Sequence, residues 1–182
     1  EGTKLDAGGG QSLEVKVPIE VVGYPTKEIS KEKFDIDFSS EFNFLLVALF
    51  GPRKNVENTL RWFIEKYHDR EEMGIILKTS LAGNSELDRV HTKNRLNNIL
   101  YGYPTRKCKV HLIHGRMTEA EMSYLMQHEK VKAMISLAHG EGYGLPLFEA
   151  AYHGLPVIAP GWSGQLDFLT QEEKGKKKKK KY

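Results

Sequence analysis

Cysteine is almost missing from this chain. Cys108 stands alone, which rules out an internal disulfide framework, and the seven histidines share no zinc-ligand spacing with it. Long apolar runs are missing too: the longest, Phe44 to Phe50, is far too short to cross a bilayer. The opening residues carry neither a basic n-region nor an apolar h-region, so nothing there reads as a secretory signal, and a lone thiol points to a reducing, cytoplasmic setting. What the chain does have is the composition of a globular domain, 40% hydrophobic and 28% charged over a length that suits one well-cored domain.

The net charge of +3 invites a nucleic-acid reading, but its distribution argues against one. Lys176 to Lys181 carry six positive charges; subtracting them from +3 leaves −3 on residues 1–175. The folded part is mildly acidic, and the basic character belongs to a tail over 171–182 that reads as a solvated like-charge run. No nucleic-acid partner is expected.

Residues 1–14 read as a flexible segment, glycine-rich over Gly8 to Gly10. "VKVPIEVVGYP" (15–25) has strand composition and ends in a proline turn. From there apolar runs and amphipathic stretches alternate. Strands are predicted over 42–49, 73–79, 109–114, 132–138 and 156–160. Helices are predicted over 56–68 and about 87–100, from Thr118 with its T-x-x-E capping box to about 127, and over 146–153 with Gly154 at its C′ position. Such alternation means βαβ units: an α/β, Rossmann-like, doubly wound parallel sheet spanning about 15–170, with ligands in the crevice at the carboxyl ends of its strands.

One of those ends carries "HGEGYGLPLFEAAYHGLPVIAPGWSGQLDFL", from His139 to Leu169. Gly140, Gly142 and Gly144 strip side chains from a strand-to-helix turn, letting backbone amides approach a ligand, and Pro146 suits a first helical turn. A helix start with free amides favours an anion. Glu141 and Glu149, seven residues between them, can each accept paired hydrogen bonds from vicinal hydroxyls. Together these features suit a sugar joined through diphosphate to a nucleoside. The plain alternative is a glycine turn whose glutamate complements the helix dipole. A dinucleotide fingerprint fits poorly, because the glycines run G-x-G-x-G and follow the fourth βα unit.

The stretch resembles the C-terminal donor-binding domain of GT-B retaining glycosyltransferases, specifically the glycosyltransferase family 4-like group. Glu141 and Glu149 match its E-x7-E motif, and "GEGYGLPLFEAAYHGLPVIA" and "WSGQLDFL" match the surrounding pattern. More diffusely, "RKN" (53–55) and "VHLIHGRMTEAEM" (110–122) resemble further elements of that domain, so the likeness covers roughly 40–169. It implies that Glu149 holds ribose hydroxyls and Glu141 donor-sugar hydroxyls. The amides of Gly142, Tyr143, Gly144 and Leu145 would meet sugar and diphosphate. Lys54, with Arg53, would neutralise the departing diphosphate, while Arg116 and Met117 would border the base and His139 the donor. Lys78 and Thr79 are weaker candidates at another strand end. Trp162 and Ser163 open the next turn and border the same crevice through backbone.

The family's arginine directly after the first strand has no match, its place falling at Leu49 or Phe50. A whole GT-B enzyme also has two domains, and this chain supplies one. The resemblance implies a nucleotide-sugar donor, no metal or other cofactor, and an acceptor-binding N-terminal domain or partner chain, without which the isolated chain would be inactive. An uncovered inter-domain face would favour a dimer.

Overall fold

A computed structural model describes residues 3–18, 20, 22–26, 29, 30, 32–173 and 176–179. Its centre is a five-stranded sheet of β3 (Phe42–Val47), β4 (Met73–Thr79), β5 (Lys109–His114), β6 (Val131–Ile135) and β7 (Val157–Ile158). The spatial order is β5-β4-β3-β6-β7, every neighbouring pair parallel. The chain runs outward from β3 to β5, returns to the middle at β6, and so creates a topological switch point between β3 and β6.

Helices α1 (Val56–Tyr67) and α2 (Glu86–Leu100) cover one face, and α3 (Glu119–Met126), α4 (Leu145–Tyr152) and α5 (Leu166–Leu169) the other. The period-2 alternation of strands explains how one run feeds both cores. Phe44, Leu46, Ile75 and Leu77 pack with Leu60, Phe63, Ile64 and Ile99 on the first face. Leu45 and Ile76 point the other way, to Leu125, Met134, Leu147 and Phe168. A strand buried on both faces reads as a continuous apolar run, which is the pattern of "FLLV" and "IIL". The caps follow the sequence as well. Thr118 accepts from the Glu121 amide at 3.2 Å while Glu121 accepts from the Thr118 amide at 2.7 Å, a complete capping box. Gly154 takes φ +74° after α4.

Four expectations need correction. Thr3–Gly8 (β1) and Gln11–Val15 (β2) form an antiparallel hairpin where a linker was expected; its turn uses Gly8, Gly9 and Gly10 at positive φ, which glycine adopts at little cost. No strand forms among the described residues of 16–25, where Pro18 and Pro25 withhold ladder donors; Ile19 and Val21 lie outside the described residues. The predicted strands over 132–138 and 156–160 shrink to Val131–Ile135 and Val157–Ile158. Within the lysine run expected to be solvated coil, Lys176–Lys179 (β9) pairs with Thr170–Glu173 (β8). Lys180 to Tyr182 lie outside the described residues. Among the described residues no helix is long and apolar enough to cross a membrane.

Candidate functional site

The turns after β3 and β6 meet at the switch point. Gly51 opens a one-turn 3₁₀ segment, Pro52–Lys54, and Asn55, at φ 52°, turns the chain into α1. Asn55 Nδ2 donates to the Leu137 carbonyl at 3.0 Å, and the His139 amide donates to the Arg53 carbonyl at 2.9 Å. These two bonds tie the turns together and bring their charges into contact. Arg53 Nη1 donates to the Gly140 carbonyl at 2.7 Å and lies 3.6 Å from Glu141 Oε2, while Lys54 Nζ pairs directly with Glu141 Oε1. The Lys54 and Glu141 side chains are largely buried, at 15% and 12% exposure, whereas Arg53 is open to solvent.

The loop that follows is held from one side only. The Ser163 hydroxyl accepts from the Glu141 amide at 2.9 Å and donates to the Glu141 carbonyl at 2.5 Å; the Gly164 amide donates to that carbonyl at 3.2 Å. Ser163 sits at φ 78°, a conformation uncommon for a residue with a side chain. Gly164 lies so close that an added Cβ would stand 1.8 Å from the Gly142 carbonyl oxygen. Beyond this clamp, none of the amides of Gly142, Tyr143, Gly144 and Leu145 donates to a protein acceptor among the described residues. Gly144 turns at φ 89° into α4, whose first turn accepts Pro146 in place of a donor. Four consecutive unpartnered amides at a helix start favour an anion electrostatically and geometrically.

The helix that these amides open, α4, contributes to two cavities, Pro146 to one and Phe148, Glu149 and Tyr152 to the other. One, of ≈ 360 Å³, is cationic, lined by Arg53, Lys54, Lys78, Thr79, Ser80 and Pro146 among others. The other, of ≈ 480 Å³, is mainly apolar, with Met117, Met122, Phe148 and Tyr152 around Glu119 and Glu149. Glu149 faces this second space from α4, and its carboxyl makes no hydrogen bond among the described residues. Although its side chain reaches solvent, the surrounding protein raises its carboxyl above the ordinary range, and the nearby Glu119 charge adds to the effect.

The residues singled out from sequence therefore separate into groups. Arg53, Lys54 and Glu141 come together; Glu149 and Met117 share the apolar cavity; Gly142 to Leu145 lie in sequence between Glu141 and the helix that carries Glu149 and line neither cavity. The Tyr143 ring turns away into Phe148 and Phe168, at 5.7 and 5.1 Å between centroids, so only its backbone faces the loop's open side. His139 is exposed and joins the site through main-chain bonds, including one from Trp162 Nε1 at 3.4 Å. Arg116 is exposed and lines neither cavity; its amide donates to Asn84 Oδ1 at 2.9 Å.

Sequence reading missed three contributors. Tyr24, Pro25, Thr26 and Ile29 line the apolar cavity, Tyr24 stacking on Tyr143 at 5.5 Å; no periodicity announces an irregular segment packing back on the fold. Asp88, in the first turn of α2, holds His114 at 2.8 Å and accepts from the amides of Ala82, Gly83 and Leu81, fixing the loop beyond Lys78. The Ser85 hydroxyl accepts from the Asp88 amide at 3.1 Å, a helix start that the sequence reading did not single out. Arg95 reaches the place after β3 that carries no arginine of its own: it donates to the Phe50 carbonyl at 3.0 Å and lies 4.6 Å over the Phe50 ring.

A D-x-D spacing, Asp35 and Asp37, does occur ahead of β3, but Asp37 pairs with Lys130 at 3.0 Å and so sits at the amino end of the sheet, opposite the crevice. Among the described residues no group of three or more His, Cys, Asp or Glu side chains could hold a metal ion.

No protein-family model matches the chain, and no curated protein sequence matches it at a significant level. Solved structures do. The OtsA apo structure aligns with 72% of this chain and 32% of its own, at TM-score 0.53 and 13% identity. The structure of trehalose-6-phosphate from E. coli bound with UDP-2-fluoro glucose aligns with 70% of this chain and 31% of its own, at TM-score 0.52 and 15% identity. The chain thus spans under a third of each neighbour's length, and the likeness is one of fold. Its sheet and flanking helices are the Rossmann-like α/β half-fold of these GT-B glycosyltransferase neighbours.

Proposed function

We propose that this chain is the donor-binding half of a retaining, family 4-like glycosyltransferase, taking a nucleoside-diphosphate sugar. The observation that carries the reading is the run of four amides, Gly142 to Leu145, unpartnered among the described residues, at the start of a helix whose Pro146 borders a cationic cavity and whose Glu149 borders an apolar one. A diphosphate over those amides would extend its nucleoside toward Met117 and Glu149, which accepts from the ribose hydroxyls. Its sugar would lie toward Glu141. Within the chain itself, Glu141 already pairs with Lys54 and lies 3.6 Å from Arg53. Donor binding exchanges partners: the cations turn to phosphate oxygens, and the freed carboxylate accepts from sugar hydroxyls.

In the transfer, the bond from the anomeric carbon to the diphosphate oxygen breaks with its electron pair leaving on the diphosphate. An acceptor hydroxyl bonds to that carbon on the same face and passes its proton to the departing diphosphate oxygen. Arg53 and Lys54 stabilise the negative charge that develops on the leaving group. Neither glutamate serves as a nucleophile here; both position the donor, without a metal.

A second reading keeps the same site in a non-catalytic nucleotide- or sugar-binding module. An N-terminal acceptor domain or partner chain would then be needed for turnover. Calorimetric titration with UDP, GDP, ADP and their sugar conjugates tests donor binding. We expect saturable binding of one nucleotide, weakened about tenfold or more in Glu149→Ala through loss of charged hydrogen bonds. Absence of binding by every nucleotide sinks the reading, and sugar transfer on adding an acceptor half separates enzyme from module.

A further inference from the structure

The three cations of the crevice are not equivalent. Arg53 and Lys54 share the Glu141 carboxylate, and Arg53 also donates to the Gly140 carbonyl. Lys78 is different. It lies at the carboxyl end of β4, in register with Val47 of β3, and its Nζ donates to the Gly115 carbonyl. No carboxylate comes within ion-pair distance of it among the described residues, and Glu121 acts on it only from farther away. An ammonium has three N–H donors, so two remain unspent.

Those donors belong to a half-buried group in a cavity shared with Arg53, Lys54, Thr79 and Ser80. Burial lowers the Lys78 pKa, the sign that its charge lacks compensation within the protein. With Glu141 counted, the crevice side chains Arg53, Lys54 and Lys78 leave a net of two positive charges. The wall behind Lys78 is rigid. The loop 81–83 is pinned by Asp88, which His114 of β5 secures, and Thr79 pairs with His114 in the sheet register.

We propose that Lys78 is a third anion-binding cation of this crevice, contacting a phosphoryl group of the donor's diphosphate. The inference rests on the donor-site reading but makes a claim of its own: the cation holding most of the binding energy for a bare diphosphate is the one without an internal counter-charge. Arg53 and Lys54 must give up Glu141 before they gain phosphate, whereas Lys78 gives up nothing.

The test uses inorganic pyrophosphate as probe, titrated calorimetrically into the whole chain, alongside UDP. Lys78→Met keeps the apolar stem and removes the charge. We expect pyrophosphate affinity to fall roughly ten- to hundredfold, the range of a lost charged hydrogen bond, by a larger factor than in Arg53→Met. Lys78→Arg should recover most of it, and Lys132→Met, at an exposed position of β6, should change nothing. A readout on the unsubstituted chain needs no variant to fold: saturating pyrophosphate should protect Lys78 from acetylation, read by mass spectrometry, while Lys132 reacts as before.

The proposal is overturned if native protein fails to bind pyrophosphate, if Lys78→Met binds it unchanged, or if Lys78 acetylates equally with and without it. Pyrophosphate binding that depends on Lys78 without any nucleotide binding would support the anion site and remove the donor reading. UDP binding indifferent to Lys78 would do the reverse.

Discussion

The two ends of the central sheet are built from similar residues and behave in opposite ways. At the amino end, Ser40 donates to Asn43 Oδ1 at 2.6 Å and meets His111 Nε2 at 2.9 Å, while Asn43 Nδ2 donates to the carbonyls of Ser40 and Lys130. Lys130 in turn reaches Asp37, Glu41 and the Phe38 carbonyl. Polar groups there have spent their capacity on one another, as buried polar groups normally do. At the carboxyl end, among the described residues, Lys78 keeps two donors, the Glu149 carboxyl has no hydrogen bond, and four amides stand unpartnered. A polar cluster that is internally saturated stabilises a fold. One left unsaturated, at a topological switch point, is fitted to receive something.

Two alanine substitutions should break this comparison most sharply. A Cβ on Gly74 of β4 would lie 2.1 Å from both Asn43 Oδ1 and Ser40 Oγ, so the saturated network must open to admit it. Gly74→Ala should cost about 3 kcal/mol in chemical denaturation, the upper end of overpacking costs, while the folded fraction binds nucleotide normally. Gly164→Ala meets main chain instead, at the Gly142 carbonyl, and must push the acidic loop out of place. It should abolish measurable binding. If Gly74→Ala loses binding in proportion to Gly164→Ala, the two ends are one cooperative unit and the distinction fails.

Most of the sheet and helix pattern was legible because the strongest signals are local. The apolar runs of β3 and β4 and the capping box of α3 follow from period, length and side-chain chemistry. Glu141, Glu149 and the glycine turn were visible as a cluster within one short stretch, and their resemblance drew attention to Lys54. What could not be read was any relation across the sheet. Nothing in sequence says that Ser163 clamps the Glu141 backbone, that Glu141 absorbs both Arg53 and Lys54, or that Lys78 stays uncompensated. The irregular segment around Tyr24 is a further case: two prolines and a glycine prevented a ladder, and only the packed fold gave its aromatic ring a partner. Composition misled at both ends, where a glycine-rich segment and a lysine run that read as coil proved to form paired strands.

A smaller effect separates the ends by acid. The His114 hydrogen bond, followed by the amides of the 81–83 loop, holds the Asp88 carboxyl below the ordinary carboxylate range despite its burial. Between its lowered pKa and the ordinary one, the unfolded chain binds the proton that the native state refuses. The stability it contributes is therefore present above the ordinary carboxylate range and is lost as pH falls through the lowered value. Asp88→Asn should flatten that part of a stability-against-pH curve measured by urea denaturation. An unchanged curve would mean that the Asp88–His114 pair does not brace the crevice wall.

The smallest effect has the opposite sign. Burial, then the Glu119 charge, raises the Glu149 carboxyl, so the native state keeps a proton that the unfolded chain has already released. Stability accordingly falls as pH climbs through the window between the ordinary and raised values, and stays lower above it. Glu149→Gln removes the charge but keeps an acceptor oxygen. At neutral pH it should raise the thermal midpoint by about 1–2 °C, a few tenths of a kcal/mol for a chain of this length, while nucleotide affinity drops. Gain of stability with loss of binding is what an unsaturated site predicts, because the surroundings disfavour the Glu149 charge and Glu149→Gln deletes it. Should Glu149→Gln lower the midpoint, this carboxylate already has the partner it needs inside the protein, and its end of the sheet is as saturated as the other.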